Sequence, residues 1–214
     1  MRDLFALHHA RISLWIAAAV LALAAPASSS SSGPQPGTSG VPAGGGFDAE
    51  PTCTSCHTGF PLNSDGHGLL TLSGVPKHYV PGQRYTLEVE MRHPDPDRTR
   101  WGFQLTAVTA KKLVGAGEFV VTDVPNTQLI RGTVANRQYM SHSYYGTGVG
   151  ESGGHKWTFE WIAPARAAGR VAFYGVGNAA NLDGSKEGDR IYSPSPKPLA
   201  VTDPVSRKTM EKPR

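Results

Sequence analysis

The feature that most constrains the fold is a succession of short apolar segments with strand-like spacing between Tyr85 and Ala180. The segments are YTLEVEM, WGFQLTAVTA, EFVVTDV, TQLIRGTV, RQYMSHS, HKWTFEWIAP and RVAFYGVGNAA, separated by turn residues. Because successive side chains of a strand point to opposite faces, Trp157, Phe159 and Trp161 are predicted to share one face. Short strands at this density, without a sustained 3.6-residue period, predict an all-β fold, an antiparallel β-sandwich.

The composition fits such a fold. The chain contains 25 Gly and 17 Pro residues, and only 18% of its residues are charged. These values predict many turns and little helix. The formal net charge of +4 is small, and its only tight cluster is the C-terminal SRKTMEKPR. A charge this small and scattered is typical of a solvated surface, so nucleic acid is not an expected partner.

The first 27 residues have the pattern of an export signal. Arg2 and Arg11 precede the apolar run ISLWIAAAVLALAA, and APA follows as a small-x-small cleavage site. The run of about 14 residues is shorter than the ~20 that a membrane-spanning helix needs. We expect a cleaved signal peptide over residues 1–27, an uncleaved anchor being the alternative. The mature protein is then periplasmic or secreted, with no stable transmembrane segment.

The remaining chain divides into four predicted parts. Residues 28–47 have the sequence SSSSSGPQPGTSGVPAGGGF. They are rich in Ser, Gly and Pro, which predicts a flexible linker. A loop region is expected over residues 48–80 and the β-sandwich over residues 81–203. Residues 204–214 predict a disordered tail.

The loop region holds both cysteines of the chain, in the sequence CTSCH. Cys53 and Cys56 are too close in sequence to staple a fold, and a structural zinc site needs about four ligands. A thioredoxin-like dithiol needs a strand–motif–helix context, whereas Pro51 precedes this motif and GFP follows it. Cys-x-x-Cys-His is the attachment signature of a c-type haem, with dithiol chemistry as the alternative.

The spacing of the motif suits that chemistry. Two intervening residues let the thiols of Cys53 and Cys56 reach both vinyl groups on one porphyrin edge. The next residue, His57, is then directed to the iron as its proximal ligand. The sequence therefore predicts one covalently bound haem c, held by Cys53, Cys56 and His57.

Several segments resemble a known family. YVPGQRYTLEVEM, WGFQLTAV, SHSYYG and WTFEWIAPARAAGRVAFYGVGNAANLDGSKEGDRIY are similar to the reelin-type, or Reeler, domain. With CTSCHTG ahead of them, the chain resembles the bacterial "choice-of-anchor V" group over roughly residues 44–193. The resemblance implies an immunoglobulin-like β-sandwich of an extracellular protein, preceded by a haem-binding loop.

The sixth iron ligand has several candidates. His142, in YMSHSYY, is the first choice because aromatic residues surround it; Met140 would share its face of a strand, and His67 is near the haem loop. The other candidates are His78, His93, His155 and Met91. In haem-free Reeler domains a histidine occupies the place matching His142, so a structural role is the other interpretation.

The loop NAANLDGSKEGD offers oxygen donors in Asn178, Asn181, Asp183 and Asp189. Calcium favours such ligands, but their spacing does not match an EF-hand. A turn-rich hairpin is the simpler interpretation, since Asn and Asp bond their own backbone in turns.

These patterns favour one function and keep two others open. A complete attachment motif without a nucleophile–base constellation predicts one-electron transfer outside the cytoplasm, with redox partner proteins. One alternative is an extracellular binding or adhesion module whose haem is structural or sensory. A haem peroxidase or gas-reactive enzyme, with His142 as distal base, is the other. An electron carrier or binding protein is thus expected rather than an enzyme.

Overall fold

The computed structural model describes residues 32–205. The predicted signal peptide, residues 1–27, lies outside the described residues, as do residues 206–214 of the predicted tail. One short 3₁₀-helix covers Cys53–Ser55. The strands are β1 Leu69–Ser73, β2 His78–Tyr79, β3 Arg84–Arg92, β4 Arg100–Thr109, β5 Glu118–Val120, β6 Thr127–Arg131, β7 Gln138–His142, β8 Gly154–Ile162, β9 Val171–Ala180, β10 Arg190–Tyr192 and β11 Ala200–Pro204.

The strands form two sheets. The first has four strands in the order β1-β3-β8-β5, and the second has the order β2-β11-β9-β4-β7-β6, with β10 also paired to β9. All pairs are antiparallel except β11 with β2. The predicted all-β antiparallel sandwich is confirmed, with one parallel pair at the edge of the second sheet.

The core lies between the two sheets. Trp157, Phe159 and Trp161 of β8 are all fully buried, as their alternation predicts. The Phe103 ring of β4 lies 4.6 Å from the Trp157 ring, and the Phe173 ring of β9 lies 5.1 Å from the Trp161 ring. These contacts join the sheets through large aromatic groups, which carry most of the buried apolar area of such a core.

The strands β4 and β9 are buried on both faces. The outer face is covered by the segment before the 3₁₀-helix, residues 33–51, here called the N-terminal strap. Val41 of the strap is fully buried in a second apolar cluster with Val108 and Tyr174. The fully buried Gln104 accepts a hydrogen bond from the Thr38 N–H (2.8 Å) and donates one to the Gln35 carbonyl (2.9 Å).

Residues 28–31 of the predicted flexible linker lie outside the described residues, and residues 33–47 pack on the sheet as part of the strap. Its composition gives few apolar contacts, but the strap's polar groups find fixed partners on the sheet. A buried ion pair holds the C-terminal end of the strap against the sandwich: Arg137 Nη1 lies 2.5 Å from Glu50 Oε1. Tyr139 Oη and Ser39 Oγ also donate to the Glu50 carboxylate, at 2.5 Å each. Paired and hydrogen-bonded on all sides, this carboxylate is a tolerated buried charge.

The other end of the sandwich also differs slightly from expectation. Pro204, placed in the predicted tail, is the last residue of β11 and pairs with Tyr79. The N–H of Val205 donates to the Tyr79 carbonyl at 2.9 Å. The ordered chain therefore extends at least two residues into the region predicted as disordered.

Candidate functional site

The Cys-x-x-Cys-His motif forms one tight turn. Thr52 caps the 3₁₀-helix, and the N–H groups of Cys56 and His57 both donate to the Cys53 carbonyl, at 3.1 and 2.9 Å. The turn therefore brings Cys53 and His57 close together. Both residues line the same cavity.

The two thiols of the motif have different environments. Cys53 is half-buried and Cys56 is exposed, and both are free. Burial, with the nearby Cys56, raises the pKa of Cys53 to about 12. Dithiol redox sites have the opposite property, a thiol pKa lowered to between about 3.5 and 7.5. The local electrostatics thus disfavour the dithiol alternative.

His57 is held by a carboxylate from a distant part of the chain. Its Nδ1 atom lies 2.6 Å from Oδ2 of Asp189, whose side chain is 4% exposed. To donate this bond a neutral imidazole carries its proton on Nδ1, which leaves the lone pair on Nε2. A carboxylate that orients a histidine in this way is the usual outer partner of a metal-bound imidazole.

Asp189 is itself fixed by the loop that follows β9. Its carboxylate accepts long bonds, each 3.4 Å, from Asn178 Nδ2 and from the Asn181 N–H. The neighbouring Gly188 carbonyl accepts a hydrogen bond from the guanidinium of Arg98. The loop thereby positions the carboxylate opposite the attachment turn.

The cavity beside the turn has a volume of about 90 Å³. It lies between the attachment turn, the start of β4, the end of β7 and the loop after β9. Its lining residues include Cys53, His57 and His142, which is the first-choice sixth ligand. Residues that the sequence separates by more than 80 positions thus meet around one space.

His142 is held by the backbone of β4. The Phe103 N–H donates to its Nδ1 at 3.0 Å, and the Phe103 carbonyl oxygen lies 3.2 Å from the same atom. The first contact places the ring proton on Nε2. The other tautomer, in which Nδ1–H donates to the carbonyl, leaves the lone pair on Nε2 and is the form in which this imidazole would bind a metal. His142 Nε2 has no hydrogen-bond partner within residues 32–205.

The charge state of His142 agrees with such a role. Burial lowers the pKa of His142 to about 4; the bond to Phe103 opposes this, and the neighbouring Arg100, His155 and His57 lower it further. The ring is therefore neutral at pH 7. Neutral imidazole is the ligating form.

Gly102 leaves room beside the His142 ring. It lines the cavity, and a Cβ atom at this position would lie 2.8 Å from Cε1 and 3.3 Å from Nε2 of His142. Contacts below 3.0 Å are not tolerated without movement. The absent side chain thus keeps the edge of the imidazole open.

The alternative sixth ligands lie elsewhere. Met140 is fully buried in the main core and does not line the cavity, nor does His67, which is exposed. His93 is bonded to Asp65 at 3.1 Å and His155 to Glu151 at 2.7 Å. Of all the candidates, His142 is the one that lines the cavity with His57.

The Asn- and Asp-rich loop uses its side chains internally. Asp183 accepts from Asn181 Nδ2 at 2.9 Å and from the Ser185 N–H at 2.8 Å. Within residues 32–205 no cluster of three or more His, Cys, Asp or Glu side chains could hold a metal ion. The contacts are those of a turn, with Asp189 alone directed to the attachment motif.

A half-buried carboxylate, Asp65, joins the loop that follows the Cys-x-x-Cys-His turn to the sandwich. It is hydrogen-bonded to Tyr192 Oη (2.5 Å) and His93 Nε2 (3.1 Å) and forms an ion pair with Arg190, whose Nε lies 3.1 Å away. Burial alone would raise the pKa of Asp65, but these bonds, with one from the His67 N–H, hold it well below its usual value. The Arg190 guanidinium also lies 3.9 Å from the centre of the Phe60 ring.

Three cavity residues were not predicted from the sequence: Asp189 as partner of His57, Gly102, and Arg100. Asp189 lies 132 positions from His57, so no local spacing connects them. Its loop was noticed as rich in oxygen donors, and that signal could have nominated the carboxylate. Nothing in the sequence marks Arg100 or Gly102.

Solved structures that resemble the chain include Reeler domains. The human F-spondin reeler domain (fragment 1) gives a TM-score of 0.42 at 21% identity, covering 69% of this chain and 91% of that chain. The Reelin-N domain of F-spondin gives 0.43 at 21%, covering 69% and 89%. AvmM, which catalyses macrocyclization in alchivemycin A biosynthesis, gives 0.43 at 10%, covering 69% and 93%.

No family model and no curated protein matches the chain. Structural likenesses at this level of identity and TM-score carry no argument about function. The all-β sandwich rests on the strands described above, and membership of the choice-of-anchor V group stays a prediction. Over residues 32–205 no helix is long and apolar enough to cross a membrane.

Proposed function

We propose that the protein is an exported c-type cytochrome-like protein with one covalent haem, which transfers single electrons in the periplasm or outside the cell. Cys53 and Cys56 would form the thioether bonds, and His57 and His142 would hold the iron. His/His ligation favours electron transfer over binding of small molecules at an open iron position.

One observation carries the proposal. His57 and His142, nominated as ligands from separate parts of the sequence, line one cavity with Cys53. Nδ1 of His57 contacts Asp189, and Nδ1 of His142 contacts the N–H and the carbonyl of Phe103; in the Nδ1–H tautomer each ring would present the lone pair of Nε2. Two oriented imidazoles beside Cys53 form a donor set that fits haem iron.

The size of the cavity limits how a haem would be held. A volume of about 90 Å³ is well below the 300–1,000 Å³ of pockets that enclose a drug-sized ligand. The residues therefore fit the iron's ligands but do not engulf a macrocycle. Covalent attachment, rather than burial, would supply most of the retention, and an exposed edge suits exchange of electrons with a partner protein.

A bound haem would supply a reversible one-electron couple. The residues of this chain would set its properties. Asp189 keeps the proton of His57 on Nδ1 and increases the basicity of Nε2. Phe103 orients His142, and Gly102 leaves space at its ring edge. Trp101 and Phe103 line the cavity and exclude water from that side.

The test is expression of the mature chain with a haem c maturation system, followed by a pyridine-haemochrome spectrum. Covalent haem with a low-spin ferric spectrum and reversible reduction is the expected result. His142→Ala should convert the spectrum to high-spin, whereas the control His78→Ala, an exposed residue outside the cavity, should not. Absence of covalent haem in the wild type would overturn the proposal.

Two further outcomes would change the proposal. If covalent haem is present and His142→Ala leaves its spectrum unchanged, His142 is excluded as sixth ligand. Peroxide turnover by a high-spin wild type would assign His142 to acid–base chemistry and favour the enzyme alternative.

A further inference from the structure

One end of the cavity carries a positive charge without a partner. Arg100, the first residue of β4, lines the cavity and is half-buried. Its guanidinium makes no ion pair or hydrogen bond to any side chain or carbonyl in the described part of the chain. Arg100 also lines a neighbouring cavity with Glu151, whose carboxylate is bonded to His155 at 2.7 Å. A partly desolvated guanidinium with no anion is costly, so such groups usually have one.

Thr147 adds an unused donor at the same end. It is 2% exposed and lines the cavity, and its Oγ1 is buried without a hydrogen-bond partner in residues 32–205. The N–H of Trp101, next to Arg100, donates to the Thr147 carbonyl at 2.8 Å, which fixes the two residues beside each other. Buried hydroxyl groups nearly always have a hydrogen-bond partner, so this hydroxyl group could bind a ligand.

The lining of the cavity does not neutralise this end. Asp189 is the one carboxylate among the lining residues, and it is already bonded to His57. Arg100 and Thr147 together offer fixed N–H donors and a hydroxyl, the groups that bind a carboxylate most strongly. Arg100 and Thr147 could therefore bind an anionic group of a molecule that occupies the cavity.

We propose that Arg100 and Thr147 form a carboxylate-binding site and that its ligand is a propionate of the haem. The inference rests on the proposed function for the identity of the occupant. It adds the orientation of the porphyrin, since the propionate edge would lie toward the start of β4. It also adds a fixed positive charge near the iron, which favours the reduced state.

The site can be tested without covalent haem. The mature chain, produced without maturation factors, is titrated with iron-free mesoporphyrin IX and with its dimethyl ester, and binding is followed by fluorescence. The wild type should prefer the diacid. Arg100→Gln should weaken binding of the diacid about tenfold, the size expected for one charged hydrogen bond, and leave the ester unchanged. Arg100→Lys should retain part of the preference.

Two variants complete the design. Thr147→Val should weaken the diacid without lowering stability, because the hydroxyl it removes has no partner. Arg92→Gln is the matched control, since Arg92 is exposed and pairs with Glu90 at 2.6 Å; it should change neither titration. No preference of the wild type for the diacid, or equal losses for diacid and ester in Arg100→Gln, would overturn the inference. Covalent haem in the maturation experiment would leave the proposed function standing in either case.

Discussion

The hydrogen bond between His57 and Asp189 is the contact at residue scale with the greatest chemical effect. A buried carboxylate 2.6 Å from Nδ1 fixes one tautomer and increases electron density on the ring. On a metal this stabilises the more oxidised state. The strength of the bond therefore sets a property that the attachment motif alone does not.

Asp189→Asn should raise the reduction potential of the haem-loaded protein. The amide keeps the shape of the side chain but removes the negative charge, so the oxidised iron loses stabilisation. Spectroelectrochemical titration measures the shift. Asp183→Asn, in the same loop but exposed and bonded within it, is the control. Equal potentials for wild type and Asp189→Asn would contradict this role.

Gly102→Ala should disturb His142. The added Cβ would lie 2.8 Å from Cε1, so the ring must move, and the haem-loaded protein should gain a high-spin component in its optical spectrum. Gly175→Ala provides a similar clash, 2.7 Å from Leu199 Cδ1, away from the cavity. The control should lose stability but keep the low-spin spectrum. An unchanged spectrum in Gly102→Ala would show that His142 does not need this space.

The residue scale also shows what sequence could predict. Cys53, Cys56 and His57 are adjacent, so their spacing was enough to nominate them. His142 was nominated by its aromatic neighbours; it lines the cavity with His57, and its role as sixth ligand stays a prediction. Asp189 and Arg100 could not be predicted, because their roles depend on contacts between residues that only the folded sheets bring together.

At the scale of elements, prediction succeeded where the signal is local. Strands β3, β4, β8 and β9 have nine or ten residues each, and their apolar patterns predicted them. The predicted segments EFVVTDV and TQLIRGTV begin at β5 and β6 but extend beyond them, as those strands have three and five residues. Strands β1, β2, β10 and β11 were missed, because strands of two to five residues form only through pairing with longer neighbours.

The N-terminal strap could not be predicted for a related reason. Ser-, Gly- and Pro-rich sequence does not form a core by itself, and its order comes from the sheet it covers. The same outer face explains why β9 is a nearly continuous apolar run and why β4, despite its Gln and Thr residues, is buried along almost its whole length. Such runs are a sequence signal that a second layer covers the sheet.

Glu50→Ala should destabilise the fold by about 3 kcal/mol, because it leaves the buried Arg137 without its carboxylate. Urea unfolding at pH 7 measures the loss. Glu118→Ala, exposed and without an ion pair within the described residues, should change stability by less than about 0.5 kcal/mol. A loss in Glu50→Ala as small as that of the control would mean that the strap contributes little.

At the scale of the whole molecule, Asp65 joins the loop that follows the Cys-x-x-Cys-His turn to the sandwich. Its carboxylate bonds Tyr192 of β10 and His93 beyond β3. Because the pKa of Asp65 is lower in the folded state, the unfolded state binds its proton first as the pH falls. The stabilisation is therefore fully present above the unfolded pKa of about 3.9 and is lost progressively as the pH falls from there through the lower folded pKa.

Asp65→Asn should lower the free energy of unfolding at pH 7 by on the order of 2 kcal/mol. The difference from the wild type should shrink as the pH falls from 5 toward 3, because the unfolded wild type then binds a proton that the folded carboxylate, with its lower pKa, does not bind. Urea unfolding across this range tests the prediction, with the exposed Asp97→Asn as control. A difference that stays constant with pH would assign the effect to packing rather than to charge.

The burial of Cys53 has a consequence for the order of events in biogenesis. In the folded chain its thiol is protonated at neutral pH, and the strap ends two residues before it. Since the thiolate is the nucleophile, the completed fold is a poor substrate for modification at its own motif. The proposed attachment of haem is thus favoured on the nascent or still open chain, and docking of the strap would end the period during which it could occur.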